Sequence, residues 1–177
     1  MSKMLVFDID QTLVDSSRRE NLSFFKDNLD LAHYKKQKYC SVLGVTSDSL
    51  LPLGEWLELN GGQCPPFVLV TARDFEFIDF NVLGRLMPNT MLQAQIVINR
   101  NNCHLFGGDS KQQSSGIYKK PIFDWLKSYY DSELVIIDDC RKVLDAALQN
   151  GHSAICARDL WHMSEKAIKR VIENALN

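Results

Sequence analysis

The residues able to do chemistry stand where apolar runs stop. Met4-Leu5-Val6-Phe7 runs into Asp8-Ile9-Asp10-Gln11-Thr12, so two carboxylates sit two residues apart at the exit of a buried segment. Such a pair is costly to bury unless something cationic needs it. It can hold magnesium, which prefers oxygen ligands, or divide labour, one group attacking while the other moves protons. Leu134-Val135-Ile136-Ile137 ends in a second acidic pair, Asp138-Asp139. Alone, the first pair could be a surface turn with two acids and the second an acidic helix start; four acids converging on one crevice would repel strongly without a metal. Phe67-Val68-Leu69-Val70 ends in Thr71-Ala72-Arg73-Asp74, where a hydroxyl and nearby backbone N–H groups can receive a phosphate oxygen. Lys119-Lys120-Pro121 precedes an amphipathic stretch. Lysines at a helix start oppose its dipole, which is better explained by an anion in front of them.

The apolar runs read as buried strands of a parallel sheet. Ile96-Val97-Ile98 and Ser153-Ala154-Ile155-Cys156 extend the set to five. Helical spacing falls between them. Leu51 to Leu59 stops at Asn60-Gly61-Gly62, and Pro121 to Tyr130 has Pro at its first position, with Ile122, Phe123, Leu126 and Tyr129 on one side. Arg141 to Gln149 ends at Asn150-Gly151, and Ser164 to Leu176 closes the chain. This alternation predicts an α/β, Rossmann-like doubly wound sheet, with ligands beyond the carboxyl ends of its strands. Residues 99–118, rich in Asn, Gly, Ser and Gln, read as a long loop, and residues 15–50 as a small helical insert or lid.

The motifs FDIDQTLVDSS, VLVTARD, YKKPIFDWL and VIIDDC, in that order, resemble the haloacid dehalogenase superfamily of phosphohydrolases over Lys3 to about residue 160. The resemblance implies that Asp8 is the nucleophile that forms an aspartyl-phosphate and that Asp10 is the general acid and then the base. It implies that Thr71 binds the phosphoryl group. The lysine before Pro, Lys120, is the family's usual choice to neutralise charge on the nucleophile; Lys119 is the alternative for that role, and otherwise contacts substrate. Magnesium would be held by Asp8, Asp138, Asp139 and the backbone carbonyl of Asp10. The family usually has Gly where Gln11 stands, a position suited to positive φ.

Superfamily members often select substrates with an inserted cap; here residues 15–50 leave room only for a small one, within a single domain over residues 1–177. The T-x-R turn at Thr71, YKKPIFDWL and SDSLLPLGEWL are also similar to the 3′-phosphatase domains of polynucleotide kinase-phosphatases. On that reading Arg18, Arg19, Arg73 and the Lys35-Lys36-Lys38 cluster contact phosphates, with Phe24, Phe25 and Tyr34 stacking bases. The expected function is a magnesium-dependent phosphomonoester hydrolase removing 3′-phosphates from polynucleotide ends. The alternatives are a phosphatase of nucleotides or other small esters, or an inactive binding protein on the same fold. No P-loop of the G-x-x-x-x-G-K-[ST] form is present.

The remaining composition bounds this reading. The chain has 177 residues, 45% hydrophobic and 24% charged, as in an ordinary globular domain. Its net charge of −2 provides no bulk field toward nucleic acid or anionic membrane. No apolar run approaches the ~18–20 residues of a membrane span, and the N-terminus shows no signal core, so the expectation is cytoplasmic. Cys40, Cys64, Cys103, Cys140 and Cys156 lack zinc-ribbon or redox spacing and read as reduced thiols.

Overall fold

A computed structural model describes residues 3–17, 24–25, 28–29, 47–73, 75, 77–112 and 114–177. In chain order the elements are β1 (Lys3–Phe7), β2 (Val14–Asp15), β3 (Phe24–Phe25), β4 (Asn28–Leu29), β5 (Ser49–Leu50), α1 (Pro52–Asn60) and β6 (Phe67–Val70). They continue with α2 (Phe77–Leu86), α3 (Pro88–Gln93), β7 (Val97–Ile98), α4 (Ser115–Tyr130), β8 (Glu133–Asp138), α5 (Arg141–Gln149), β9 (Ser153–Cys156) and α6 (Glu165–Leu176).

The main sheet has five parallel strands in the order β7-β6-β1-β8-β9. Side chains alternate across it. Leu5, Phe7, Leu69, Val135 and Ile137 pack with Leu53, Leu57, Leu83, Ile168 and Ile172 from α1, α2 and α6. Met4, Val6, Val68, Leu134 and Ile136 pack with Ile122, Phe123, Leu126, Val143 and Ala147 from α4 and α5. Burial on both faces accounts for the unbroken apolar runs. The chain order reverses at β1, which lies between β6 and β8, so a crevice opens at their carboxyl ends.

Three details differ from expectation. The helix expected from Pro121 begins at Ser115, so Pro121 lies inside it and the preceding loop is shorter, broken by a 3₁₀ turn at Cys103–Phe106. The connection from β6 to β7 is helical, through α2 and α3. Of the expected insert, most residues lie outside those described. The described parts pair antiparallel: β3 with β4, and β2 with β5, where the chain leaves and re-enters the core. Cys64, Cys103, Cys140 and Cys156 are free thiols, and Cys40 lies outside the described residues. Among the described residues no helix is long and apolar enough to cross a membrane.

His152, before β9, is buried against the ring of Phe123, with neither ring nitrogen hydrogen-bonded. Burial pushes its pKa below the ordinary value; Lys127 adds to this and Asp124 opposes it. The unfolded chain therefore takes up a proton that the folded chain resists, and stability falls as pH drops below about 6.5. Urea midpoints measured from neutral pH to about pH 5 should fall less steeply in His152→Leu than in the unaltered chain. Parallel slopes would show that His152 does not contribute to acid sensitivity.

Candidate active site

Strand parity aims the acids. Asp8 follows β1 in phase with Met4 and Val6, and Asp138 closes β8 in phase with Leu134 and Ile136. Both therefore face the side covered by α4. On α4, Lys119 lies three, four and seven positions before Ile122, Phe123 and Leu126, on the same buried stripe. Its ammonium reaches Asp8 Oδ1 at 2.6 Å and Asp138 Oδ2 at 2.7 Å. Lys120, a third of a turn away, is half exposed and pairs with Asp124 at 3.4 Å. This corrects the expectation based on the Lys-Pro order: Lys119, not Lys120, enters the crevice.

α4 can approach because Gly116 meets the start of α5. A Cβ at Gly116 would lie 2.7 Å from the Lys142 carbonyl oxygen. Asp138 is held at both oxygens, since its Oδ1 accepts from the Cys140 N–H at 2.8 Å. Asp139 accepts from Arg158 at 2.9 Å. Arg158 lies over the Trp161 ring, whose Nε1–H donates to the Gln11 carbonyl at 3.1 Å, bracing the turn after β1. Gln11 itself has φ +58°, the left-handed conformation that Gly would favour. The tight turn imposes it: Gln11 N–H donates to the Val14 carbonyl at 2.8 Å, and the N–H groups of Leu13 and Val14 both reach Ile9 O.

Oxygens of Asp8, Asp138 and Asp139 all lie within 4.8 Å of one another, which suits a hard divalent cation. The Asp10 carboxylate does not join them. Burial raises the pKa of Asp8 well above its usual value; Lys119 opposes the shift, and Asp138, Asp10 and Asp139 reinforce it. Burial also raises Asp139, against the lowering effect of Arg158. Burial disfavours the Lys119 charge, but Asp138 and Asp8 more than reverse that and hold it as ammonium.

Thr71 follows β6 directly, and its N–H donates to Ile98 O at 2.9 Å. Its hydroxyl accepts from the Arg73 N–H at 3.1 Å, and its carbonyl accepts from the buried Tyr118 hydroxyl at 3.2 Å. Arg100 pins the same turn by donating to Ala72 O at 2.7 Å and lying over the Tyr118 ring. Arg73 was expected to contact substrate. Instead it is fully buried and turned inward onto Asp10, Asp48 and Asp79. Arg18 and Arg19 lie outside the described residues. Sequence reasoning missed Tyr118, Arg100, Arg158, Trp161, Asp48 and Asp79; Lys119, which it placed second to Lys120, carried a usable signal in its phase with the apolar stripe. Beside Asp139 opens a cavity of about 650 Å³, lined by Ser114, Ser115, Arg141, Lys142 and Arg158 among others.

The fold is that of haloacid dehalogenase-like hydrolases. The chain belongs to the bacteriophage T5 5′-deoxynucleotidase family, whose model matches residues 1–177. Among solved structures it is similar to a haloacid dehalogenase-like hydrolase from Streptococcus pneumoniae, with a TM-score of 0.60 and 14% identity, covering 98% of this chain and 91% of that one. It is similar to CbbY from Rhodobacter sphaeroides in complex with phosphate, with a TM-score of 0.56 and 11% identity, over 88% and 86% of the two chains. A family hydrolase from Deinococcus radiodurans with bound phosphate and sodium gives a TM-score of 0.53 at 13% identity, over 85% and 78%. At these identities the likeness is one of fold. No curated protein matches the chain.

Proposed function

We propose that this protein is a magnesium-dependent phosphatase of deoxynucleoside 5′-monophosphates. The observation that carries the reading is the Asp8–Lys119–Asp138 arrangement, in a chain matched along its whole length by a 5′-deoxynucleotidase family. The residues expected to carry a polynucleotide, Arg18, Arg19 and Lys35 to Lys38, lie outside those described. Removal of 3′-phosphates from polynucleotide ends is therefore the competing arm of the test.

In the reaction, a carboxylate oxygen of Asp8 attacks phosphorus as the bond to the 5′-oxygen breaks. Asp10 gives its proton to the departing 5′-oxygen. It then takes one from the water that attacks the aspartyl-phosphate, which releases phosphate, frees the Asp8 carboxylate and returns Asp10 to its protonated form. Lys119 fixes Asp8 through Oδ1 and offsets the charge gathered at the site. The Thr71 hydroxyl hydrogen donates to a phosphoryl oxygen. Asp8, Asp138, Asp139 and the Asp10 carbonyl would hold magnesium, which when bound neutralises charge on the phosphoryl oxygens. Residues 15–50 would contain a small cap or lid.

The test is phosphate release with magnesium from deoxynucleoside 5′-monophosphates, 3′- and 5′-phosphorylated oligonucleotides and sugar phosphates. Deoxynucleoside 5′-monophosphates should give the highest kcat/KM, with release abolished by a chelator. A higher kcat/KM for 3′-phosphorylated oligonucleotides would replace this reading with the polynucleotide one.

A further inference from the structure

The guanidinium of Arg73 is the meeting point of three carboxylates from separate parts of the chain. Its Nε and Nη2 donate to the two oxygens of Asp10 at 3.2 and 2.5 Å, a two-pronged grip on one carboxylate. Nη1 donates to Asp79 in the first turn of α2 at 2.8 Å. Nη2 also reaches Asp48 at 3.3 Å. Asp48 immediately precedes β5, where the chain returns from the insert, and β5 pairs with β2, where the insert departs. Arg73 has no exposed surface, and Asp48 and Asp79 are buried as well. Burial disfavours the Arg73 charge, but the three acids outweigh it and keep the group charged.

A buried, planar fork with fixed donors sets the plane of the carboxylate it grips. Asp10 is thus oriented by Arg73, and Arg73 is oriented by Asp79 on one side and Asp48 on the other. We infer that Arg73 is a positioning residue that aims Asp10 at the leaving oxygen, and that Asp48 makes this aim depend on how the base of the insert is seated. The inference rests on the role of Asp10 proposed above. It assigns a task to Asp48, which no motif marks, and replaces substrate contact as the task of Arg73.

The geometry separates aiming from mere structural support through the leaving group. Expelling a sugar alkoxide needs the Asp10 proton; expelling a stabilised phenolate does not. Hydrolysis of the aspartyl-phosphate needs Asp10 for either substrate. Asp48→Asn keeps the shape and an acceptor while removing charge, and Arg73→Lys keeps the charge while removing the fork. In either variant, kcat/KM for a deoxynucleoside 5′-monophosphate should fall about 10- to 100-fold, the scale of a misplaced catalytic group. With p-nitrophenyl phosphate, kcat/KM should stay within about 3-fold, while acid-quenched phosphoenzyme accumulates above the unaltered level. Thermal melts establish which variants are folded, and the comparison is made on a folded one.

Equal losses on both esters without phosphoenzyme accumulation would overturn the inference, as would no loss on either. Asp10→Asn serves as the reference. If it shows the selective pattern and Asp48→Asn and Arg73→Lys do not, only the positioning inference fails. If Asp10→Asn itself treats both esters alike, the acid–base reading fails first.

Discussion

Asp8→Asn is expected to remove turnover by about 10⁴-fold or more on every ester, the scale of losing a covalent nucleophile. The change is almost isosteric, and the amide oxygen can still accept from Lys119, which sits 2.6 Å from Asp8 Oδ1. It also removes one of the crowded carboxylates; Asp8 is driven toward its neutral form by burial and by its acidic neighbours. The folded state should therefore survive, with a melting temperature equal to or above that of the parent. Acid-quenched samples should contain no phosphoenzyme, even with p-nitrophenyl phosphate. This separates Asp8 from Asp10, whose replacement should trap phosphoenzyme with the same substrate. Near-normal turnover in a folded Asp8→Asn chain would remove Asp8 as nucleophile.

How far the site was legible depended on how each residue is held. Asp8 and Asp138 end strands, and a strand end shows as an apolar run meeting a charge. Lys119 was legible only as phase. It belongs to the stripe of Ile122, Phe123 and Leu126, whereas the Lys-Pro order pointed to its exposed neighbour. The left-handed turn at Gln11 was legible only through the resemblance, whose members place Gly there; Gln itself rarely adopts it. α2 escaped because its apolar pattern does not mark its buried face. Phe77 and Phe80 are exposed, while the buried positions are Leu83 and the charged Asp79. Asp79 is inside because Arg73 is there to meet it. Contacts between residues far apart in the chain, such as Arg73 to Asp48 or Trp161 to Gln11, leave no local period to read.

The two adjacent lysines provide the second large contrast. Lys119→Met removes the cation that contacts both Asp8 and Asp138 and leaves two buried carboxylates facing each other. Breaking a buried pair in this way typically costs about 3–5 kcal/mol, or roughly 6–20 °C in melting temperature for a chain of this size. Turnover should fall about 10³-fold or more, because phosphoryl transfer depends on positioned charge. Lys120→Met loses only an exposed contact to Asp124 four residues on, worth about 0.3–0.5 kcal/mol. Its turnover should stay within about 2-fold, since nothing reaching the crevice has changed. The double variant Lys119→Met with Asp8→Asn should recover much of the lost melting temperature and none of the activity. Removing one carboxylate relieves the repulsion, but the nucleophile is gone. A larger loss of turnover in Lys120→Met than in Lys119→Met would return the catalytic lysine to the position before proline. No stability recovery in the double variant would mean that the loss in Lys119→Met comes from packing of α4, not from unpaired charge.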